Sequence, residues 1–276
     1  MSPRVSVVVP AYNNADYIAE TIESILAQTY DDFEVIIGDH TSDDATLDVV
    51  QRYADDPRIT VITTEAGGGA KRNWDRVSRA ASGELLKLVC GDDIIYPTAL
   101  AEQVAAFDEH PSAVLVASQR KLVDAKGGTV IKARGLGGLS GLVSGRVAAR
   151  SAVIAGANIF GEPACVMMKR SDLAAVGWWD DTHPYLIDEA TYVDVALRGD
   201  FVAIPKALAA FRINAGQWSV RLATQQAVQA AAFHKKLRDA DPTLLSKWDV
   251  RLGDAKALAT SFMRRAVYIL LSHRMK

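Results

Sequence analysis

Cysteine is scarce in this 276-residue chain. The two present, Cys90 and Cys165, cannot build a disulfide framework, and no CxxC or Cys/His cluster suggests structural zinc. A reducing, cytoplasmic setting is the expectation. A surplus of one charge is also lacking. Lysine and arginine total 31 against 33 aspartates and glutamates, a net charge of −2, so no electrostatic case for a nucleic-acid partner arises. Long apolar runs are missing too. Val5–Val9 ends at Pro10, too short for a signal-peptide core, and no run approaches the ~20 residues of a spanning helix. No glycine-rich loop follows that first run, where Pro10-Ala11-Tyr12-Asn13 stands instead. A dinucleotide-binding GxGxxG is therefore excluded, and the phosphate loop of a nucleotidyltransferase is not there either.

Short apolar runs alternating with helical patterns are what the first half does contain. Val5–Val9, Phe33–Ile37, Arg58–Thr63, Leu85–Val89 and Ala113–Ala117 read as buried strands. Between them lie a helix with Ile18, Ile22, Ile25 and Leu26 on one face, opened by Asn13-Asn14, a second with Leu47, Val50 and Tyr53 inward, and helices over 70–81 and 99–107. Such alternation predicts an α/β fold with a mostly parallel central sheet flanked by helices and right-handed crossovers. After Gly127-Gly128 the pattern loosens. Gly135 to Gly145 reads as a mobile glycine-rich stretch, 163–168 as a strand, Glu189–Arg198 as a helix, and Phe201–Ile213 as two short strands around Pro205. From Arg221 onward the chain reads as helical, broken near Asp241-Pro242. The expected division is a catalytic domain over 1–218, with halves 1–118 and 119–218, and a helical C-terminal extension over 219–276.

Ligands of open α/β sheets bind beyond the carboxyl ends of the strands. Three polar groups follow three apolar strands: Pro10, Ala11, Tyr12 and Asn13; then Asp39 and His40; then Asp92 and Asp93. Adjacent acids after a buried strand are costly unless something positive meets them. A hard, oxygen-seeking cation such as Mg²⁺ or Mn²⁺ fits, shared with substrate phosphates. A solvated acidic turn is the other reading.

The segments Val5–Thr46 and Asn73–Pro97 resemble GT-A-fold nucleotide-sugar glycosyltransferases of the large family two, the likeness running over roughly the first 215 residues. The resemblance implies a nucleoside-diphosphate sugar donor. Pro10, Ala11, Tyr12 and Asn13 then border the nucleoside, with Asp39 holding it and Asn73 as a further donor contact. Asp92 faces the ribose or metal, and Asp93 is the direct Mn²⁺ or Mg²⁺ ligand. His40 stands where many relatives have a second aspartate, and Cys90 where many have the first acid of a DxDD signature.

In the second half, Asn158–Pro163 is similar to a stretch bordering the acceptor site in relatives, so Glu162 becomes a candidate for a sugar hydroxyl, against a plain turn residue. The family's catalytic base falls on Asp188, with Glu189 as backup, while a carboxylate at a helix start also caps it. Trp178-Trp179 either stack on a sugar or pack in the core. Arg212 through Ser219 occupies the place of a loop that closes over the diphosphate, and Asn214 replaces a common histidine.

The implied activity is metal-assisted, inverting transfer of a sugar to an acceptor hydroxyl of a glycan or lipid-linked saccharide, in cell-surface polysaccharide biosynthesis. A non-catalytic sugar-nucleotide-binding scaffold subunit and a sugar-phosphate nucleotidyltransferase are the rival readings. From Ala255 to Lys276 the chain carries Lys256, Arg264, Arg265, Arg274 and Lys276 and no acid. That helix can lie on the inner face of a membrane, dock on the catalytic domain, or join a homo-oligomer.

Overall fold

The structure, a computed structural model, describes residues 2–214, 225–270 and 273, with the backbone alone for 266–270. The expected boundary at 218/219, the loop from 215 to Ser219, and Arg274 and Lys276 lie outside the described residues. So do the side chains of the apolar run 267–271.

Strand β1 (Val5–Ala11) is buried along its whole length, as a central strand covered on both faces requires. Helix α1 (Ile18–Leu26) turns Ile18, Ile22 and Ile25 onto it. The side chain of Asn14 does not cap this helix. It folds back to accept the Tyr12 N–H at 2.9 Å, while its carbonyl receives the N–H groups of Tyr17 and Ile18. Then follow β2 (Phe33–Asp39), α2 (Thr46–Gln51), β3 (Ile59–Thr63), α3 (Gly69–Ala80) and β4 (Leu85–Leu88). The order β3-β2-β1-β4 is parallel throughout. On α2 Val50 is buried as expected, with Thr46 and Val49 beside it in place of Leu47, and Tyr53 packs partly buried on the core.

The second half adds β5 (Ile94–Ile95), α4 (Ala99–Glu109), β6 (Ala113–Val123), β7 (Thr129–Arg134) and β8 (Gly141–Ser144). Next come α5 (Gly145–Ala155), β9 (Val166–Lys169), α6 (Arg170–Ala175), α7 (Ile187–Ala196) and β10 (Asp200–Arg212). Strand β9 enters antiparallel between β4 and β6, and β10 runs parallel to β6. Six long strands thus share one direction, and β5, β7, β8 and β9 oppose it. Two readings change here. Pro205 does not split β10 but bulges it, the register slipping between Ile204 and Ala209. The glycine-rich stretch carries β8 and leads into α5, whose N-cap Ser144 accepts the Val147 N–H.

Two helices, α8 (Gln226–Ala240) and α9 (Lys247–Leu270), pack on each other, and α9 also packs on α5. Lys87 of β4, fully buried, donates to Gln103 Oε1 at 2.9 Å and to the Ala164 carbonyl at 2.6 Å. Burial lowers its pKa to about 7. These bonds tie the sheet centre to the turn at Pro163–Cys165 that follows Glu162.

Candidate active site

A cleft of about 970 Å³ opens at the carboxyl ends of the strands. Its first wall comes from β1–β4 and the loops after them: Pro10, Tyr12, Asn13, His40, Asn73, Trp74, Cys90 and Asp92 all line it. The second wall comes from the loop after α5, the start of α7 and the end of β10, with Asn158, Glu162, Asp188, Glu189 and Asn214. The sequence-predicted residues of the two halves therefore meet in one hollow, apart from Ala11, Asp39 and Asp93, which lie behind its surface.

Asn73 closes the base of the first wall. Its Nδ2 donates to the Gly38 carbonyl at 2.8 Å, and its Oδ1 accepts from Thr64 Oγ1 at 2.7 Å. A longer 3.4 Å contact reaches the Ala11 carbonyl. The amide thus ties the ends of β1 and β2 to the start of the β3–α3 loop. Gly38 makes this approach possible, because a Cβ there would lie 2.7 Å from Asn73 Oδ1 and 2.4 Å from Val77 Cγ1. Asp39 is buried and accepts from Ser42 Oγ at 2.6 Å and Ser42 N–H at 3.1 Å, which folds the loop after β2. His40 Nε2 lies 2.9 Å from the Gly67 carbonyl, and its ring meets the half-exposed Tyr12 edge-on at 5.9 Å. Tyr12 and His40 form an aromatic corner with room for a planar ligand beside it.

The acidic turn divides its two carboxylates. Asp92 lines the cleft, and its Oδ2 accepts from Asn214 Nδ2 at 2.8 Å. Asp93, just before β5, does not line it. It is fully buried, Oδ1 accepts the Arg212 N–H at 3.2 Å, and Oδ2 has no hydrogen-bond partner among the described residues. Burial and the neighbouring Asp92 charge push its pKa well up. Asp93, the residue expected to bind the metal directly, is thus buried, while its neighbour Asp92 lines the cleft. Arg212 clamps the turn from behind, its Nε donating to the Asp92 carbonyl at 3.1 Å.

Among the described residues no group of three or more His, Cys, Asp or Glu could hold a metal ion. The donor set still fits a hard cation shared with a ligand: Asp92 in the cleft wall, and an orphaned carboxylate oxygen of Asp93 directly behind. Mg²⁺ and Mn²⁺ take one or two carboxylates and complete their shells with phosphate oxygens and water.

On the second wall, Asp188 is the second residue of α7 rather than its N-cap, which is Leu186. Its Oδ1 accepts the Glu189 N–H at 2.7 Å and its Oδ2 accepts from Asn158 Nδ2 at 2.9 Å. Asn158 is fixed in turn by Gly161, bonding both its carbonyl and its N–H. Burial raises the Asp188 pKa to about 7, with the Glu162 charge adding to it and the two hydrogen bonds opposing. Glu189 is buried beside it and raised to about 8, by burial and then by Asp188. Glu162 faces the opposite balance. Burial would raise it, but the buried Arg120 guanidinium, paired with both its oxygens, holds it below the usual glutamate value. The Cys90 thiol is pushed well up by burial and by the charges of Asp93, Asp92, Asp188 and Glu162. Both acidic clusters therefore act on one point in the cleft.

Sequence reasoning missed Arg120 and Trp74. Arg120 looked like an ordinary strand residue, and only the sheet order brings it under Glu162; Arg212, expected to open a loop over the diphosphate, ends β10 and holds the acidic turn. Trp74 lines the cleft on α3, whereas Trp179 is buried against it, the ring centroids 4.8 Å apart, with Nε1 donating to Ser78 Oγ. Lys71 and Arg72 pair with Asp75 and Glu65 on their own segment.

The family model for glycosyl transferase family 2 matches residues 6–175. Among relatives, the chain is 34% identical over 110 residues to the putative glycosyltransferase EpsE of Bacillus subtilis, covering 39% of this chain and 40% of that protein. It is 36% identical over 116 residues to the poly(ribitol-phosphate) beta-N-acetylglucosaminyltransferase TarS of Staphylococcus aureus, covering 40% of this chain and 20% of TarS. These matches thus span well under half of the relatives' own lengths. Two solved structures share the fold. S. aureus TarS 1–349 in complex with UDP-GlcNAc gives a TM-score of 0.70 at 20% identity, over 94% of this chain and 72% of that one. The mannosyltransferase PcManGT of Pyrobaculum calidifontis, in complex with GDP-Man and Mn²⁺, gives 0.63 at 19% identity, over 98% and 81%.

Proposed function

The chain belongs to glycosyl transferase family 2, and from that premise we propose that it transfers a sugar from a nucleoside-diphosphate sugar to an acceptor hydroxyl, with inversion, in the making of a surface glycan or polysaccharide. The observation carrying this reading is the pair of opposed acids in one cleft, Asp92 on the first wall and Asp188 on the second. Two neighbours in fold were solved with sugar nucleotides, which is the ligand class this cleft would take.

The nucleoside packs against Tyr12 and His40, over the floor that Asn73 and Asp39 hold in shape. The diphosphate points to Asp92, which Asn214 and Arg212 keep in place. Asp92, with Asp93 beside it, would hold a divalent cation, which when bound would neutralise the charge that grows on the departing diphosphate. Asp188 takes the proton of the acceptor hydroxyl as that oxygen attacks the anomeric carbon from the face opposite the leaving group. A carboxyl raised to about 7 suits that task, being partly ionised at neutral pH and basic enough to hold the proton. Asn158 aims it. Glu162, kept ionised by Arg120, accepts a hydroxyl of the acceptor sugar.

Release of nucleoside diphosphate from a panel of sugar nucleotides with Mn²⁺, read beside a thermal-shift screen of the nucleoside diphosphates, tests the reading. Turnover with one donor and a melting shift with its nucleotide are expected. A melting shift without turnover would make the chain a binding subunit, and neither effect with any donor would overturn the proposal.

A further inference from the structure

Helix α9 leaves a row of large apolar side chains that the core does not cover. Both of its acids are paired. Asp249 is buried and pairs with Arg150 at 2.9 Å, and the part-exposed Asp254 pairs with His234 at 2.7 Å. Outward stand Trp248, Leu252, Leu258, Phe262 and Met263, between 46% and 75% exposed. At 100° per residue these five fall within an arc of roughly 140°. Exposed Lys256 borders one edge of that arc and exposed Lys247 the other, while Arg251 lies over the Trp248 ring at 5.2 Å. The helix cannot roll to hide this face. On its inner side a Cβ at Gly253 would lie 2.2 Å from the Val153 carbonyl oxygen, so the backbones of α9 and α5 already touch.

We infer that this face docks on an anionic lipid bilayer. Tryptophan, phenylalanine and leucine enter the interface, and the flanking lysines and Arg251 meet lipid phosphates. Charge decides against a second copy of the chain. A two-fold contact through this face would set Lys247, Arg251 and Lys256 against their own copies, with only the part-exposed Asp254, already paired with His234, beside them. The helix also reaches the cleft, where Thr260, Met263 and Arg264 form part of the lining. Docking therefore brings the mouth of the cleft close to the headgroup plane, where a lipid-linked acceptor would be within reach. That last corollary rests on the proposed transferase activity, but the docking does not.

Co-sedimentation of the full chain with phosphatidylglycerol–phosphatidylcholine vesicles, against phosphatidylcholine alone and at low and high salt, tests it. Binding to the anionic vesicles that weakens with salt is expected. Trp248→Ser/Phe262→Ser and Lys247→Glu/Lys256→Glu should each lower the partition by about tenfold or more. Both variants should keep the melting temperature and its shift by nucleotide, which separates lost docking from a lost fold or a lost active site. Three results would overturn the inference: no binding to anionic vesicles, binding indifferent to lipid charge, or a dimer in sedimentation velocity that the same substitutions dissolve.

Discussion

The two walls of the cleft keep their polar groups in place by different means. On the wall made by β1–β4, main-chain atoms do most of the holding: Asn73 bonds the Gly38 carbonyl, Asp39 folds its own loop through Ser42, and the parallel strands bring these ends into line. On the opposite wall, side chains hold side chains. Arg120 pairs with Glu162, and Asn158 bonds Asp188 across 30 residues of sequence. The first wall buries Asp39, Asp92 and Asp93 at the ends of its strands. The second is a cluster of buried charges whose protonation the surroundings set, which suits a wall that must handle a proton.

That contrast predicts where substitutions act. The largest effect belongs to Asp188→Asn, which should cut turnover by about 10²–10⁴-fold with donor affinity nearly unchanged, read by nucleotide release and calorimetry. An equal loss of donor binding would make Asp188 structural and erase the distinction between the walls. Arg120→Ala strands Glu162 in the interior and should cost about 3–5 kcal/mol in denaturant unfolding. On the other wall, Asn73→Ala removes only neutral hydrogen bonds and should cost about 1–3 kcal/mol. If the two costs came out reversed, the first wall would be the charge-dependent one.

Asp92→Ala should remove a tightening of donor binding by Mn²⁺ of about tenfold, or ~1.4 kcal/mol. Asp93→Asn should leave that tightening in place. Calorimetry with and without the ion decides between them, and the opposite pattern would return the metal to Asp93.

The smallest expected effect is on stability against pH. Asp188 and Glu189, raised to about 7 and about 8, bind protons in the folded chain at pH values where the unfolded chain has lost them. Their contribution is fully present below ~4 and is lost as pH rises through 7 and then 8. Asp188→Asn escapes its share of that loss, so at pH 8 its melting temperature should exceed the parent's by roughly 2–4 °C for each kcal/mol recovered. Activity should follow the other branch, rising as Asp188 ionises near pH 7.

Much of the first wall was legible in the sequence because it is built locally. Each strand is a short β-branched run, and its polar residue follows at once, so the order of β1–β4 and the positions of Tyr12, Asp39 and Asp92 could be read from spacing. The second wall was less legible. Asp188 came from the family likeness, and α5, which follows the glycine-rich stretch, was not read as a helix. Arg120 carries no local mark, because its role exists only where β6 and the Glu162 turn meet.

The amino-acid order by itself determined the α/β alternation, the family, and the carboxyl-end rim on which the polar groups gather. These depend on periodicity and on neighbours a few residues apart. Only the tertiary structure decided that Asp92 rather than Asp93 lines the cleft, that Trp74 rather than Trp179 lines it, and that α9 buries Asp249 and leaves Trp248 and Phe262 exposed. In each of these cases the choice lies between adjacent or equivalent side chains, and it is settled by which one finds a partner across the fold.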